Sequence, residues 1–230
     1  MASIDLLICD CDGVLIDSEI VAERNLRQSL AQFYPADELN QVLEGTFGLQ
    51  SRDILKLAEH YFGRPLPAGF VDNLHAHTEA LIRSEVQPIP GVRDALLAIE
   101  LPLAVASNSR LDGVQFALKR AGLVERVNAG VYSAEQVALP KPAPDVYLAA
   151  AKGAGASPGR CLVVEDSVTG ATAALAAGMR VLGFLGASHI PPGHGQRLLE
   201  LGVERTFTHM RELPQLVATL NGLPAPLPPH

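Results

Sequence analysis

The run from Ile4 to Cys9 is apolar except at Asp5, which predicts a buried strand, and polarity returns abruptly at Asp10-Cys11-Asp12-Gly13. Gly13 permits an immediate turn there. From Asp17 onward the pattern becomes helical. Asp17-Ser18-Glu19 offer a cap and first-turn acids for a helix through about Phe33. Apolar positions then recur at helical spacing in three further groups: Leu39, Val42 and Leu43; Ile54, Leu55, Leu57, Ala58, Tyr61 and Phe62; Phe70, Val71, Leu74, Leu81 and Ile82. No strand signal interrupts residues 17–86, which predict an all-helical insert closed by Pro88, Pro90 and Gly91.

After Gly91, helical and β-rich runs alternate. The spacing predicts helices over Val92–Ile99, Leu111–Ala121, Pro144–Gly153 and Ser167–Ala177, with strands at Leu101–Ala106, Gly130–Tyr132, Cys161–Val164 and Arg180–Phe184. Thr206–Thr208 predicts a short edge strand and Pro214–Leu220 a last helix, and nothing between Phe184 and Thr206 is assigned to an element. Such alternation is the mark of a parallel sheet covered on both faces. The expected fold is therefore α/β: a Rossmann-like parallel sheet core of residues 1–16 and 87–222, the helical insert of 17–86, and a flexible Pro-rich tail of 223–230.

Composition narrows the function classes. With 230 residues, 48% of them hydrophobic and 19% charged, the chain can bury a large core. The net charge of −7, with no block of Lys and Arg, leaves no footprint for nucleic acid. The three cysteines, Cys9, Cys11 and Cys161, suit neither a disulfide framework nor a zinc cluster and read as buried reduced thiols. No signal-like leader and no run of 18 apolar residues is present, so a cytoplasmic protein without a membrane partner is expected; a monomer is the expected state, although no feature of the sequence sets it.

The candidate chemistry sits at strand ends. Asp10 and Asp12 follow the first strand, Ser107 and Asn108 the second, and Glu165 and Asp166 the strand Cys161–Val164, with Lys141-Pro142-Ala143-Pro144-Asp145 between the last two. In a parallel sheet these ends share one crevice, where ligands collect. Each group alone has an ordinary reading: Ser107 and Asn108 could cap a helix, Glu165 and Asp166 could be first-turn acids, and Lys141 could be a solvent-exposed lysine. Together they place four carboxylates in one crevice, and like charges raise one another's pKa steeply from about 4. A hard divalent cation relieves that repulsion. Oxygen ligands without His or Cys favour Mg²⁺, and a phosphate would then meet the ion on one side and Lys141 on another.

The set resembles the haloacid dehalogenase (HAD) superfamily, in the branch with a helical cap between the first and second motifs, close to β-phosphoglucomutase and small sugar-phosphate phosphatases. The motifs stand as Asp10-Cys11-Asp12-Gly13-Val14-Leu15, Ala106-Ser107-Asn108-Ser109, Lys141-Pro142-Ala143-Pro144-Asp145 and Val164-Glu165-Asp166-Ser167-Val168-Thr169-Gly170, in the family's order. The resemblance implies that Asp10 is the nucleophile that becomes an aspartyl phosphate and that Asp12 is the acid and base for leaving group and water. It also implies Mg²⁺ held by Asp10, the Asp12 carbonyl and Asp166, with Glu165 a direct or indirect ligand. Ser107, Asn108 and Lys141 would bind the phosphoryl oxygens.

Within that family, Asp12 argues against dehalogenation, since a halide leaves without a proton and an alkoxide does not. A phosphosugar mutase of the β-phosphoglucomutase kind is the alternative to a phosphatase. Its pattern carries a His in the first cap helix, where this chain has Ala22, and a cap Lys absent from Asn73-Leu74-His75-Ala76-His77-Thr78. The expected activity is thus hydrolysis of a small phosphorylated metabolite such as a sugar or sugar-acid phosphate, with some likeness to phosphatases of 6-phosphogluconate. A non-catalytic phospho-ligand module is the third reading, disfavoured by the complete catalytic set. Specificity is expected from the cap, with Arg24, Gln50, Arg52 and His75 as candidates, whereas His60, His77 and His189 receive no functional assignment.

Overall fold

Strands that are apolar on both faces can only sit inside a covered sheet, and that is where these segments lie. The computed structural model of the chain describes residues 3–44, 46 and 51–222. Six strands, β1 (Leu6–Cys9), β2 (Leu103–Ser107), β3 (Val131–Ser133), β4 (Cys161–Glu165), β5 (Arg180–Phe184) and β6 (Arg205–Phe207), form one sheet in the order β3-β2-β1-β4-β5-β6. Every neighbouring pair is parallel. The fold is the α/β architecture expected, and β1, β2 and β4 are buried at every position.

Register brings the strand ends level. Cys9 stands opposite Val105 of β2 and Val164 of β4, so the next residues, Asp10, Ala106 and Glu165, emerge side by side. Asp10 N–H donates to the Val164 carbonyl at 3.0 Å, which extends the β1–β4 ladder to the nucleophile candidate. The strand order also reverses at β1, with β2 and β3 to one side and β4, β5 and β6 to the other, and such a switch point opens a crevice beyond the carboxyl ends.

One face of the sheet carries Leu6, Ile8, Ala104, Ala106, Cys161 and Val163, packed against α7 (Asp145–Gly153), α8 (Val168–Ala176) and α9 (His194–Leu201). The pleat turns the alternate residues Leu7, Val105 and Leu162 to the other face, where they are equally buried. Further helices are α5 (Val92–Leu97), α6 (Leu111–Ala121) and α10 (Leu213–Leu220), of which α5 and α10 pack together. Helix α9 was not anticipated from the sequence. Its apolar residues, Leu198, Leu199 and Leu201, all fall within one turn at its end, and Gly193 and Gly195 lie at its start, so the sequence offers no repeat long enough to register as a helix.

The chain divides into two compact units, one made of the residues up to Asp17 together with those from Gln87 onward, the other Ser18–Val86. The second holds α1 (Glu19–Leu30), α2 (Ala36–Leu43), α3 (Ser51–Phe62) and α4 (Phe70–Glu85) around its own core of Leu26, Leu30, Tyr34, Leu39, Leu55 and Leu74. Tyr34 stacks on Phe62 with ring centroids 4.3 Å apart, and Asn25 Nδ2 ties α1 to α4 through Thr78 Oγ1 at 2.8 Å. At the crossings, Asp17 N–H bonds Gln87 O at 2.9 Å and Ile89 N–H bonds Leu15 O at 3.0 Å. The expected cap of α1 takes another form: Ser18 makes no side-chain cap bond, and the Asp17 carboxylate accepts from Ser188 instead. Among the described residues no helix is long and apolar enough to cross a membrane. The tail of residues 223–230 lies outside the described residues.

Candidate active site

The first strand delivers two carboxylates through a turn that only glycine can complete. Cys11 O accepts from Leu15 N–H at 2.8 Å and from Ile16 N–H at 3.2 Å, while Gly13 bends the chain at φ 75°. Asp10 is 8% exposed, and Asp12, half-buried, accepts a 2.6 Å bond on Oδ2 from Ser109 Oγ. Ser109 is itself fixed, because its N–H donates to Ser107 Oγ at 3.0 Å and its carbonyl accepts from Ser133 Oγ at 2.7 Å.

Lys141 is the hub of the crevice. Its Nζ donates to Asp10 Oδ1 at 2.7 Å, Glu165 Oε1 at 2.7 Å and the Ala106 carbonyl at 3.0 Å, and lies 4.7 Å from the centre of the Tyr147 ring. All three ammonium protons are therefore spent on the protein. Burial pulls the ammonium pKa down, but Asp10 and Glu165 outweigh it and hold the group above its usual range. The Lys141 backbone is held from a second side: Asn108 Oδ1 accepts from Lys141 N–H at 2.8 Å and Asn108 Nδ2 donates to Lys141 O at 3.1 Å. Asn108, expected on phosphoryl oxygens, thus has its amide engaged in seating the Lys141 loop. Ser107 is buried and turns its Oγ to the Ser109 N–H.

Glu165 is fully buried and saturated. Oε1 accepts from Lys141 and from Tyr147 OH at 2.6 Å; Oε2 accepts from Asp166 N–H at 3.1 Å, Ser167 N–H at 3.2 Å and Ser167 Oγ at 3.0 Å. Burial pushes its pKa up, yet Lys141, Tyr147 and Ser167 overcome that and keep it below the usual range. Gly170 makes room for this carboxylate, since a Cβ there would lie 1.7 Å from Oε1. Asp10 is the opposite case: burial, followed by Glu165, Asp166 and Asp12, drives its pKa well above normal against the single opposing charge of Lys141.

Oxygens of Asp10, Glu165 and Asp166 lie within 4.8 Å of one another, so a cation could sit among them. Both Glu165 oxygens already accept bonds from the protein. An all-oxygen, buried and net-negative donor set fits a hard divalent ion. Asp166 is itself supported from the segment after β5, by His189 Nε2 at 3.2 Å from Oδ2 and by His194 Nε2 at 2.6 Å from its carbonyl. Burial lowers the His194 pKa, the bond to Asp166 opposing it.

The structure thus brings Asp10, Asp12, Ser107, Asn108, Lys141, Glu165 and Asp166 to one rim. Three of the four specificity candidates are described within the Ser18–Val86 unit. Arg24 is paired with Glu85, Arg52 borders a cleft with Lys56, Glu59 and Phe70, and His75 is exposed on α4, all in the Ser18–Val86 unit. Gln50 lies outside the described residues. Ser109, Tyr147, His189 and His194 were missed. Tyr147 reads as one more apolar position of α7, and a loop histidine such as His189 has no spacing that would announce it; Ser109 alone carried a signal, lying inside the second motif.

Known proteins resemble this chain in sequence and in fold. The family model described as haloacid dehalogenase-like hydrolase matches residues 4–178. The 6-phosphogluconate phosphatase of Escherichia coli K12 is 27% identical over 217 residues, covering 94% of this chain and 96% of its own, and hexitol phosphatase B of the same strain is 32% identical over 178 residues, covering 75% and 80%. Among solved structures, a conserved haloacid dehalogenase-like protein from Agrobacterium tumefaciens superposes with a TM-score of 0.87 at 37% identity, covering 94% of this chain and 99% of that one. A HAD family hydrolase from Deinococcus radiodurans, solved with bound phosphate and sodium, gives 0.82 at 32% identity, covering 98% and 100%. With most of its length matched by the family model and close relatives spanning the whole chain, the protein belongs to the haloacid dehalogenase-like hydrolases.

Proposed function

We propose that this hydrolase is a phosphatase of a small phosphorylated metabolite, a sugar or sugar-acid phosphate, working with Mg²⁺ through an aspartyl phosphate. The observation that carries the reading is the bond of Lys141 Nζ to Asp10 Oδ1, at 2.7 Å in a buried crevice that also holds Asp166. Names of relatives, a 6-phosphogluconate phosphatase and a hexitol phosphatase, support the substrate class.

In this reading an Asp10 carboxylate oxygen attacks phosphorus while the bond to the leaving oxygen breaks, and Asp12 gives that oxygen its proton. Water then attacks the phosphorus of the aspartyl phosphate, Asp12 takes the water's proton, and phosphate leaves with Asp10 regenerated. Ser109 Oγ on Asp12 Oδ2 orients the carboxyl for both transfers. Lys141, bound to Asp10, is the charge that favours the ionised nucleophile against burial and its acidic neighbours, and it sets positive charge beside the transferred group. Asp10 and Asp166, with the Asp12 carbonyl, would hold the Mg²⁺, whose chemistry is to neutralise charge on the phosphoryl oxygens. Ser107 and the backbone N–H groups beyond β2 would receive those oxygens.

Hydrolysis is preferred over phosphosugar transfer because Ala22 occupies the position where the mutase pattern has a His. The test is a panel of sugar, sugar-acid and polyol phosphates assayed for phosphate release with and without EDTA. Release that EDTA abolishes and Asp10→Asn removes is expected. Full activity in Asp10→Asn would overturn the proposal, and interconversion of hexose phosphates without phosphate release would select the mutase.

A further inference from the structure

Asp166 is held by a segment that the mechanism above does not use. His189 Nε2 lies 3.2 Å from Asp166 Oδ2, with side chains only 9% and 4% exposed, so little water competes for the contact. An ionised carboxylate only accepts, so this Nε2 carries the proton. The turn bearing His189 has its own anchor one residue earlier. Asp17 Oδ1 accepts from Ser188 N–H at 3.1 Å, and Asp17 Oδ2 accepts from Ser188 Oγ. Ala187 is buried at the base of this turn, and Ile190 N–H closes on its carbonyl at 3.2 Å. Asp17 is in turn fixed through its N–H to Gln87 O, at the point where the chain leaves for the helical unit and returns from it.

We propose that Ala187–Ile190 is a positioning strap for the metal site: Asp17 seats Ser188, and the neighbouring His189 orients the Asp166 carboxylate towards the ion. The inference rests on Asp166 being a metal ligand, as proposed above. Groups that orient a ligand without touching the metal commonly set affinity by about ten- to a hundredfold, because a carboxylate free to rotate loses freedom when it binds. His189 and Asp17 are thus positioning residues for Asp166. They are not catalytic groups.

The experiment is Mn²⁺ binding to the full-length protein without substrate, by calorimetry and by the paramagnetic resonance signal of the free ion. Wild type is compared with His189→Ala, His189→Gln, Asp17→Asn and Asp166→Asn. His189→Ala should raise the Mn²⁺ dissociation constant about tenfold, His189→Gln, which retains an N–H donor, should recover much of it, and Asp17→Asn should raise it about threefold. Should His189→Ala fail to give the native circular dichroism, His189→Gln and Asp17→Asn decide. Binding at wild-type strength in folded His189→Ala and Asp17→Asn, with binding lost in Asp166→Asn, would overturn the strap and leave the metal site standing. No binding by wild type, or unchanged binding by Asp166→Asn, would remove the metal site and the strap together.

Discussion

A Cβ built on Gly13 would lie 1.9 Å from Asp166 Oδ2, so the turn after the first strand and the acid after the fourth are packed closer than any side chain allows. Gly13 also has φ 75°, where an L-residue is strained. Gly13→Ala must therefore displace the Asp166 carboxylate or unwind the turn that aims Asp12. Its stability cost is expected to be about 1–3 kcal/mol in urea unfolding. The loss of kcat/KM should be larger in proportion, about a hundredfold, since displacements near 1 Å at a reacting centre cost that much. A rate within threefold of wild type on p-nitrophenyl phosphate would show that the close approach is dispensable.

Glu165→Gln tests whether the buried glutamate is structural charge for Lys141. The amide cannot accept from five donors: its NH₂ would face Lys141 and Tyr147 or the Asp166 and Ser167 donors. Removing one partner of a buried pair costs about 3–5 kcal/mol, and Glu165 is completely enclosed. Urea unfolding should show a loss of that size, with Mn²⁺ affinity changed much less than in Asp166→Asn. Equal loss of metal binding in both variants would instead make Glu165 a direct ligand.

The residues of this rim show what the chain discloses before it is folded and what it conceals. Asp10 and Glu165 are legible because apolar strands end in charge without a transition, and parallel pairing must bring such ends level. Gly13 was legible as a turn, but its close approach to Asp166 was not. Asn108 was legible as a polar residue at a strand end, but its pairing with the Lys141 backbone depends on where a loop 33 residues later returns. His189 was invisible for the same reason: contact with Asp166 is made by tertiary placement of a loop, and no periodicity records it. Helix α9 escaped because its leucines, Leu198, Leu199 and Leu201, span a single turn, too short a stretch for a period to show.

The three cysteines are buried and free, and the burial of Cys161 and Cys9 has consequences for alkaline stability. Burial pushes Cys161 up to about 11, with Asp5 adding to it, and burial pushes Cys9 up to about 12. A thiol whose pKa is raised on folding lends stability that is complete below its unfolded value, about 8.5, and is lost as pH climbs towards the folded one. Unfolding free energy should therefore fall between about pH 9 and pH 11, and the fall should be shallower in Cys161→Ala. Ellman's reagent at pH 8 should find no thiol in the native protein and three after denaturation; rapid native reaction would contradict the burial.

Ser109 lies 2.6 Å from Asp12 Oδ2 through its hydroxyl, and because a carboxylate accepts, the hydroxyl proton points at Asp12. The Ser107 and Ser133 bonds leave Ser109 little freedom, so the geometry of the acid and base is set from the second strand. Ser109→Ala deletes one hydroxyl from a half-buried position and keeps the backbone bonds to Ser107 and Ser133, so stability should change by about 1 kcal/mol or less. The chemical step should suffer more. With the bond from Ser109 to Asp12 gone, kcat is expected to fall about tenfold while KM stays near its wild-type value, because the lost contact orients a proton donor and holds no substrate. Thr should restore most of kcat by returning the hydroxyl. A variant that raised KM at constant kcat would place Ser109 on the substrate instead, and the assignment of Asp12 as the residue it serves would have to be given up.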